Sequence, residues 1–283
     1  MAMKTATNYY SNAIVGVPQA GADINVHEVN SNPKYFVGFG FERADGSNFR
    51  YVQYGSDTNA GLLVTSQLGT NSVTVTGTNV VIQSDSATAV ANERYLPGKI
   101  GSHYQQLKLS AGTNVFAGGY LHVCGGRGAG YTYRIRGNTA TGSPSETNLR
   151  LTLYEPIAVE IGTESNIAIT GNPWANVIPS FGDTNTNFCG VSMSSAGNNT
   201  YGWIATCGIV TCLTGATNLP TLNSTLVSDS GTGGAISEIE YVTTMNTATS
   251  VATTVSVGKP VIGTCIHTGS NGTHSAIALN LSW

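Results

Sequence analysis

Short runs of alternating apolar and polar residues, each closed by glycine, asparagine or aspartate, constrain this chain more than any other feature. In "YTYRIRG", Tyr131, Tyr133 and Ile135 alternate with Thr132, Arg134 and Arg136. In "SVTVTGTNVVIQSD", Val73 and Val75 alternate with Thr74 and Thr76. A period of two puts one set of side chains on each face of a half-buried antiparallel strand. "KYFVGFGFERADGSNFRYVQYG" carries such runs on both sides of "ADGS", and Asp-Gly between alternating runs marks a hairpin. Helix formers are scarce. Charged residues make up 10% of the 283, against roughly 25% in an average soluble domain. One segment, "ATAVANERY", reads as a short helix. The expected fold class is all-β, with antiparallel sandwich or barrel modules.

The glycine-rich stretch "GYLHVCGGRGAGYTYRIRG", residues 119–137, poses a choice between a phosphate loop and a hairpin. A phosphate loop needs a helix after its glycines, with its N-terminus facing the anion. The residues after these glycines alternate as a strand does, and no Lys-Ser or Lys-Thr pair follows them. The glycines therefore supply the positive φ angles of a tight turn.

Residues 1–30 show no sustained period and read as an extended N-terminal arm. A β domain with hairpins is expected over 31–183. It closes in "SNIAITGNPWANVIPSFGD", where prolines, glycines and asparagines make a break near 171–183. A C-terminal β domain is expected over 184–283. It contains "YGWIATCGIVTCL", "EIEYVTT", "ATTVSVG" and a final pair of strands around "TGSNGT". No fixed repeat supports a β-solenoid.

The net charge of −3 is uneven: 1–150 carry eleven basic and eight acidic groups, while 151–283 carry Lys259 against seven acids. A nucleic-acid binder needs Lys and Arg gathered on one face, and no run of that kind exists. No segment has the length and apolarity of a secretory signal or a membrane-spanning helix, which points to synthesis in a cytosol. Five cysteines fit reduced thiols better than a disulfide framework.

Each candidate site has a plain structural alternative. His122 and Cys124, and again Cys265 and His267, lie two apart and would share a strand face, while Cys207 and Cys212 lie five apart. Zinc needs four ligands, usually as close pairs from turns, so core packing is the better reading. No G-x-S-x-G elbow occurs, and "GVSMSSAG" lacks its second glycine and its context. His103, His267 and His274 have hydroxyls nearby only as a chain rich in Ser and Thr would provide them. Glu155, Glu160 and Glu164 cluster in sequence. Glu238 and Glu240 would stand about 7 Å apart on one strand face, but glycosidase carboxylates must flank a cleft. Trp174, Trp203 and Trp283 could stack on sugars or anchor a core or interface, and burial is favoured. No catalytic, cofactor-binding or metal-binding residue and no cofactor is assigned.

Several segments together resemble virion proteins of tailed bacteriophages, described as head decoration, cement or other capsid-associated structural proteins. They are "FERADGSNFRYVQYG", "FAGGYLHVCGGRGAGYTYRIRGNT", "LRLTLYEPIAVEIGTESNIAITGNPWANVI", "YGWIATCG" and "GKPVIGTCIHTGSNGTHSAIALNLSW". The resemblance runs in patches over about half of the chain and contains no catalytic motif. It implies a non-enzymatic protein made in the bacterial cytoplasm that binds the outside of the capsid and stabilises the shell. Its implied partners are the major capsid protein and copies of itself, with a trimer favoured, and neither nucleic acid nor membrane. A tail or fibre protein that binds host-surface glycans is the alternative, and a hydrolase of envelope polysaccharide a third reading.

Overall fold

A computed structural model describes residues 24–67, 73–81, 96–141, 148–181, 187–216, 218–239, 241–246, 251–256 and 260–281. The architecture is all-β and antiparallel, built from curled sheets. The expected helix at "ATAVANERY" and residues 1–23 of the expected arm lie outside the described residues. The chain divides into two compact units, one of residues 1–67 with 174–283 and one of residues 68–173.

The first unit opens with the predicted hairpin, β1 (Gly40–Glu42) and β2 (Asn48–Gln53), turning where Gly46 takes a φ of +84°. β3 (Leu63–Ser66) comes next. The chain then builds the second unit as β4 (Val73–Val75), β5 (Val80–Val81), β6 (Tyr104–Leu107), β7 (Tyr120–Gly125), β8 (Thr132–Asn138), β9 (Leu149–Leu153) and β10 (Asn166–Thr170). These seven strands form one sheet in the order β4-β10-β7-β8-β9-β6-β5. Its two edge strands are consecutive in sequence, joined only by residues 76–79, so the sheet curls until its edges lie within reach of one bend. The expected continuous strand over "SVTVTGTNVVI" is therefore two strands. Gly77, at a φ of +61°, makes the bend that separates them.

β8 runs along both halves of this sheet. Thr132–Arg134 pair with β7, Ile135–Asn138 pair with β9, and a bulge lies between Ile135 and Gly137. Leu121, Val123, Tyr133, Ile135, Leu149, Leu151, Leu153, Ile167 and Ile169 alternate inward and are buried together. Each such aliphatic side chain contributes about 1.5–3 kcal/mol by leaving water.

At Pro173 the chain leaves this unit, and from Trp174 it rejoins the first. There it adds β11 (Val177–Pro179), β12 (Phe188–Ser192), β13 (Tyr201–Leu213), β14 (Thr225–Ser228), β15 (Ile236–Glu238), β18 (Gly263–His267) and β19 (His274–Asn280). β16 (Tyr241–Asn246) and β17 (Val251–Ser256) pair only with each other among the described strands. The units thus divide the chain differently from the expected division at 183–184. β2 pairs with β13 and β3 with β12, so residues before and after the break complete one ten-stranded sheet.

This sheet is covered on both faces in one region and on one face in another. Phe49, Tyr51, Leu63, Trp203 and Ala205 face one core, whereas Val52, Tyr54, Val64, Val177 and Ile204 face a second. Past Cys207, Val210 and Cys212 of β13, Cys265 of β18, and Ile277 and Leu279 of β19 still enter the first core. Ile209 and Thr211 between them are exposed.

Candidate functional site

The glycine-rich stretch is the predicted hairpin turn. β7 and β8 flank it, and Gly126, Gly128 and Gly130 take φ of +71°, +80° and +91°. Gly126 is required twice over, since a Cβ there would fall 1.7 Å from the Glu164 carbonyl oxygen.

The sequence candidates resolve into structural roles. His122 bridges strands, with Nδ1 3.2 Å from Thr132 Oγ1 and Nε2 3.0 Å from Thr170 Oγ1. Cys124 lies beyond it and is exposed. Cys265 and His267 do not share a face as expected: a bulge at Ile266 leaves Cys265 in the core and His267 in solvent. Cys212 is buried and Cys207 half-buried. Burial pushes the Cys212 and Cys189 thiols up to about 12, which keeps both protonated and unreactive. Among the described residues, no three His, Cys, Asp or Glu side chains converge as a metal ion would need.

The carboxylates are occupied by the fold. Glu160 receives Lys99 Nζ at 3.1 Å and Arg127 Nη1 at 2.9 Å, and Glu164 stands 3.7 Å from the same arginine. Glu155 Oε2 accepts the Arg134 backbone N–H at 3.1 Å. Glu238 accepts the Thr221 N–H at 3.0 Å and its hydroxyl at 2.8 Å, while Glu240 is outside the described residues. Of the tryptophans, Trp203 is core, Trp174 is half-buried with the Arg50 guanidinium 5.3 Å from its ring centroid, and Trp283 is outside the described residues. His103 Nδ1 lies 3.3 Å from the Leu153 carbonyl oxygen, and His274 lies against Gly61.

What the sheet exposes is a different kind of site. Where β13, β19 and β18 are covered on one face only, cross-strand register sets Ile209 beside Ala278 and Ala278 beside Thr264, and Thr264 pairs on with Thr225. The next row sets Thr211 beside Ala276 and Ala276 beside His267. Ile209 is 72% exposed and Ile266 41% exposed. The side chains between them are alanine and threonine, so two large hydrophobes stand above a low surface. Charge is almost absent from this part of the chain: Asp229, Glu238, Glu240 and Lys259 are the only charged residues in 184–283. Asp229 is itself buried, accepting the Gly231 and Thr232 N–H groups at 3.0 and 2.7 Å. A surface of this composition loses little by desolvation and gains by covering its isoleucines, the balance that favours adhesion to another protein surface.

Sequence reasoning missed this face because alternation marks which residues point outward and not how many strands lie open. Comparison with protein-family models, with curated proteins and with solved structures finds no match to this chain.

Proposed function

We propose that this chain is a non-enzymatic structural protein of a tailed-bacteriophage virion, which binds the outside of the capsid and stabilises the shell. The observation that carries the reading is the uncharged outer face of β13, β19 and β18, with Ile209 raised above Ala278 and Ala276. The sequence resemblance to decoration and cement proteins supplies the partner, the major capsid protein. Bridging contacts between shell subunits would resist the outward pressure of packaged DNA. Short Ser, Thr and Ala side chains keep the ordering cost of such contacts small.

The test is to purify the chain, add it to shells that lack it, and sediment the mixture. Saturable co-sedimentation, with matching density on the outside of the shell by cryo-electron microscopy, is the expected result. Density confined to the tail, or no binding at saturating protein, would overturn the proposal. Light scattering of the free protein checks the accompanying expectation of a trimer.

A further inference from the structure

The fold bonds three of the chain's five histidines. His27 Nδ1 lies 2.7 Å from the Met193 carbonyl oxygen and His103 Nδ1 3.3 Å from that of Leu153, while His122 sits between Thr132 and Thr170. His267 and His274 are exposed, and among the described residues neither ring has a hydrogen-bond or ion-pair partner. Both belong to the uncharged face of β13, β19 and β18. Register sets His274 beside Leu213, and His267 beside Ala276, which in turn lies beside Thr211. Ala278, Ala276 and His274 are alternate residues of β19 and point the same way, and His267, directly opposite Ala276, shares that side. At 3.3 Å per residue and 4.8 Å per strand, His274 stands about 14 Å and His267 about 12 Å from Ile209. A specific interface of about 800 Å² per partner is a disc of about 16 Å radius, so one centred on Ile209 takes in both imidazoles.

The groups around the two rings are almost all uncharged. On β13 the outward neighbours are Ile209, Thr211 and Leu213, and on β19 they are Ala276 and Ala278. On the β14 side of His267, the Asn223 N–H donates to the Cys265 carbonyl at 2.9 Å. One strand further, the Glu238 carboxylate of β15 accepts the Thr221 N–H and hydroxyl. His274 lies across Gly61, and the carboxylate of that segment, Asp57, accepts the Asn198 N–H at 2.9 Å. Cys265, on the same hairpin as both rings, is in the core.

We infer that protonation of His267 and His274 detaches this face from its partner, so that adhesion holds near neutral pH and is lost in acid. Gating of this kind rests on the adhesive role proposed above for the face. In the free protein an exposed imidazolium keeps its water. Closed against an uncharged surface it loses that water and gains no partner, so the complex takes the neutral ring. Imidazole is the side chain that gains its charge as pH falls from about 8 to about 5. For each ring that must enter uncharged, affinity falls by up to about tenfold per pH unit once the free ring takes up its proton. Binding is therefore complete above that range and lost as pH falls through it.

The test is co-sedimentation of the whole chain with shells at about pH 8, 6.5 and 5, with circular dichroism of the free protein at each. The native chain is expected to bind at least about tenfold more weakly at the acid end than at the alkaline end. The double variant His267→Gln, His274→Gln is expected to bind alike at all three, and each single variant to keep part of the loss. The shell is the same in every arm, so an equal loss by the glutamine pair would place the titration elsewhere and overturn the inference. Loss of the native spectrum over the same range would do so as well, as would a folded glutamine pair that no longer binds near neutral pH. Native binding that does not change with pH would remove the gate and leave the adhesive face in place. No binding by the native chain at any pH is a different failure, since it removes the adhesive role together with its gate.

Discussion

Trp203 meets Phe41 edge to face, with 4.9 Å between ring centroids and an interplanar angle of 87°. The same indole lies 5.1 Å from Tyr51 and 5.2 Å from Tyr35, and it is 1% exposed. Phe41 belongs to β1 and Tyr51 to β2, so one side chain of β13 holds the first hairpin on the sheet. Trp203→Ala is expected to cost about 3–5 kcal/mol, measured by urea unfolding monitored in the far ultraviolet. Phe41→Leu, which keeps much of the volume and loses the edge-to-face contact, is expected to cost about 1 kcal/mol. A cost near zero for Phe41→Leu would show that the ring geometry carries no special weight.

The glycines of the β7–β8 turn give a graded test. Gly126 has φ +71° and its missing Cβ would meet the Glu164 carbonyl, while Gly130 has φ +91° and open space around it. Alanine at Gly130 adds only the conformational cost, about 1–2 kcal/mol. At Gly126 the clash with backbone adds to that cost, so Gly126→Ala is expected to lower the unfolding midpoint clearly more than Gly130→Ala. Thermal melts of both variants decide it. The reverse order would mean that the turn does not pack on residues 164–165 as described.

Period-two alternation made β6 to β9, β18, β19 and the later half of β13 legible, because there one face of the strand is buried and the other wet. It could not show that Gly77 cuts "SVTVTGTNVVI" into two strands at opposite edges of a sheet: the alternation breaks at Gly77-Thr78-Asn79, and such a break marks a turn without saying which strands the flanking runs pair with. Nor could it pair β2 with β13, whose partners Trp203 and Tyr51 lie far apart in the chain. Local pattern encodes which face is apolar; register between distant strands depends on the packing of both. The same gap hid the adhesive face. Ile209 reads as one more strand residue until its strand neighbours are known.

The buried thiols and a buried phenol predict how stability changes with pH. Burial raises Cys189 and Cys212 from 9.0 to about 12, and Tyr54 from 10.0 to about 12 despite its hydrogen bond with Ser192. All three are neutral in the folded chain at a pH where the unfolded chain has begun to ionise. The stability linked to the thiols is complete below about pH 9 and is lost as pH rises from there towards 12. Urea midpoints are expected to fall over that window, and less steeply in Cys189→Ala, Cys212→Ala. At pH 8 the exposed Cys124 is expected to react with a thiol reagent in the native protein, while Cys189 and Cys212 react only on unfolding. Fast native labelling of Cys212 would contradict its burial.

Ile209→Lys separates adhesion from folding. Ile209 is on the open side of β13, beside Ala278, and its neighbours Val210 and Cys212 supply the packing on the other side. Because the isoleucine is 72% exposed, the substitution is expected to change the unfolding free energy by no more than about 0.5 kcal/mol. In a closed interface the outcome differs. An ammonium placed opposite an uncharged surface has no partner and must shed water, and a cost of even about 2–3 kcal/mol lowers affinity by roughly thirtyfold to a hundredfold or more. Co-sedimentation with shells is therefore expected to fall to background at a protein concentration that saturates the native chain. Ile209→Val, smaller by one methylene, is expected to bind nearly normally. If the lysine variant is folded and still saturates the shell at the native concentration, the contact surface lies elsewhere on the chain, and the outer face of β13, β19 and β18 loses its role.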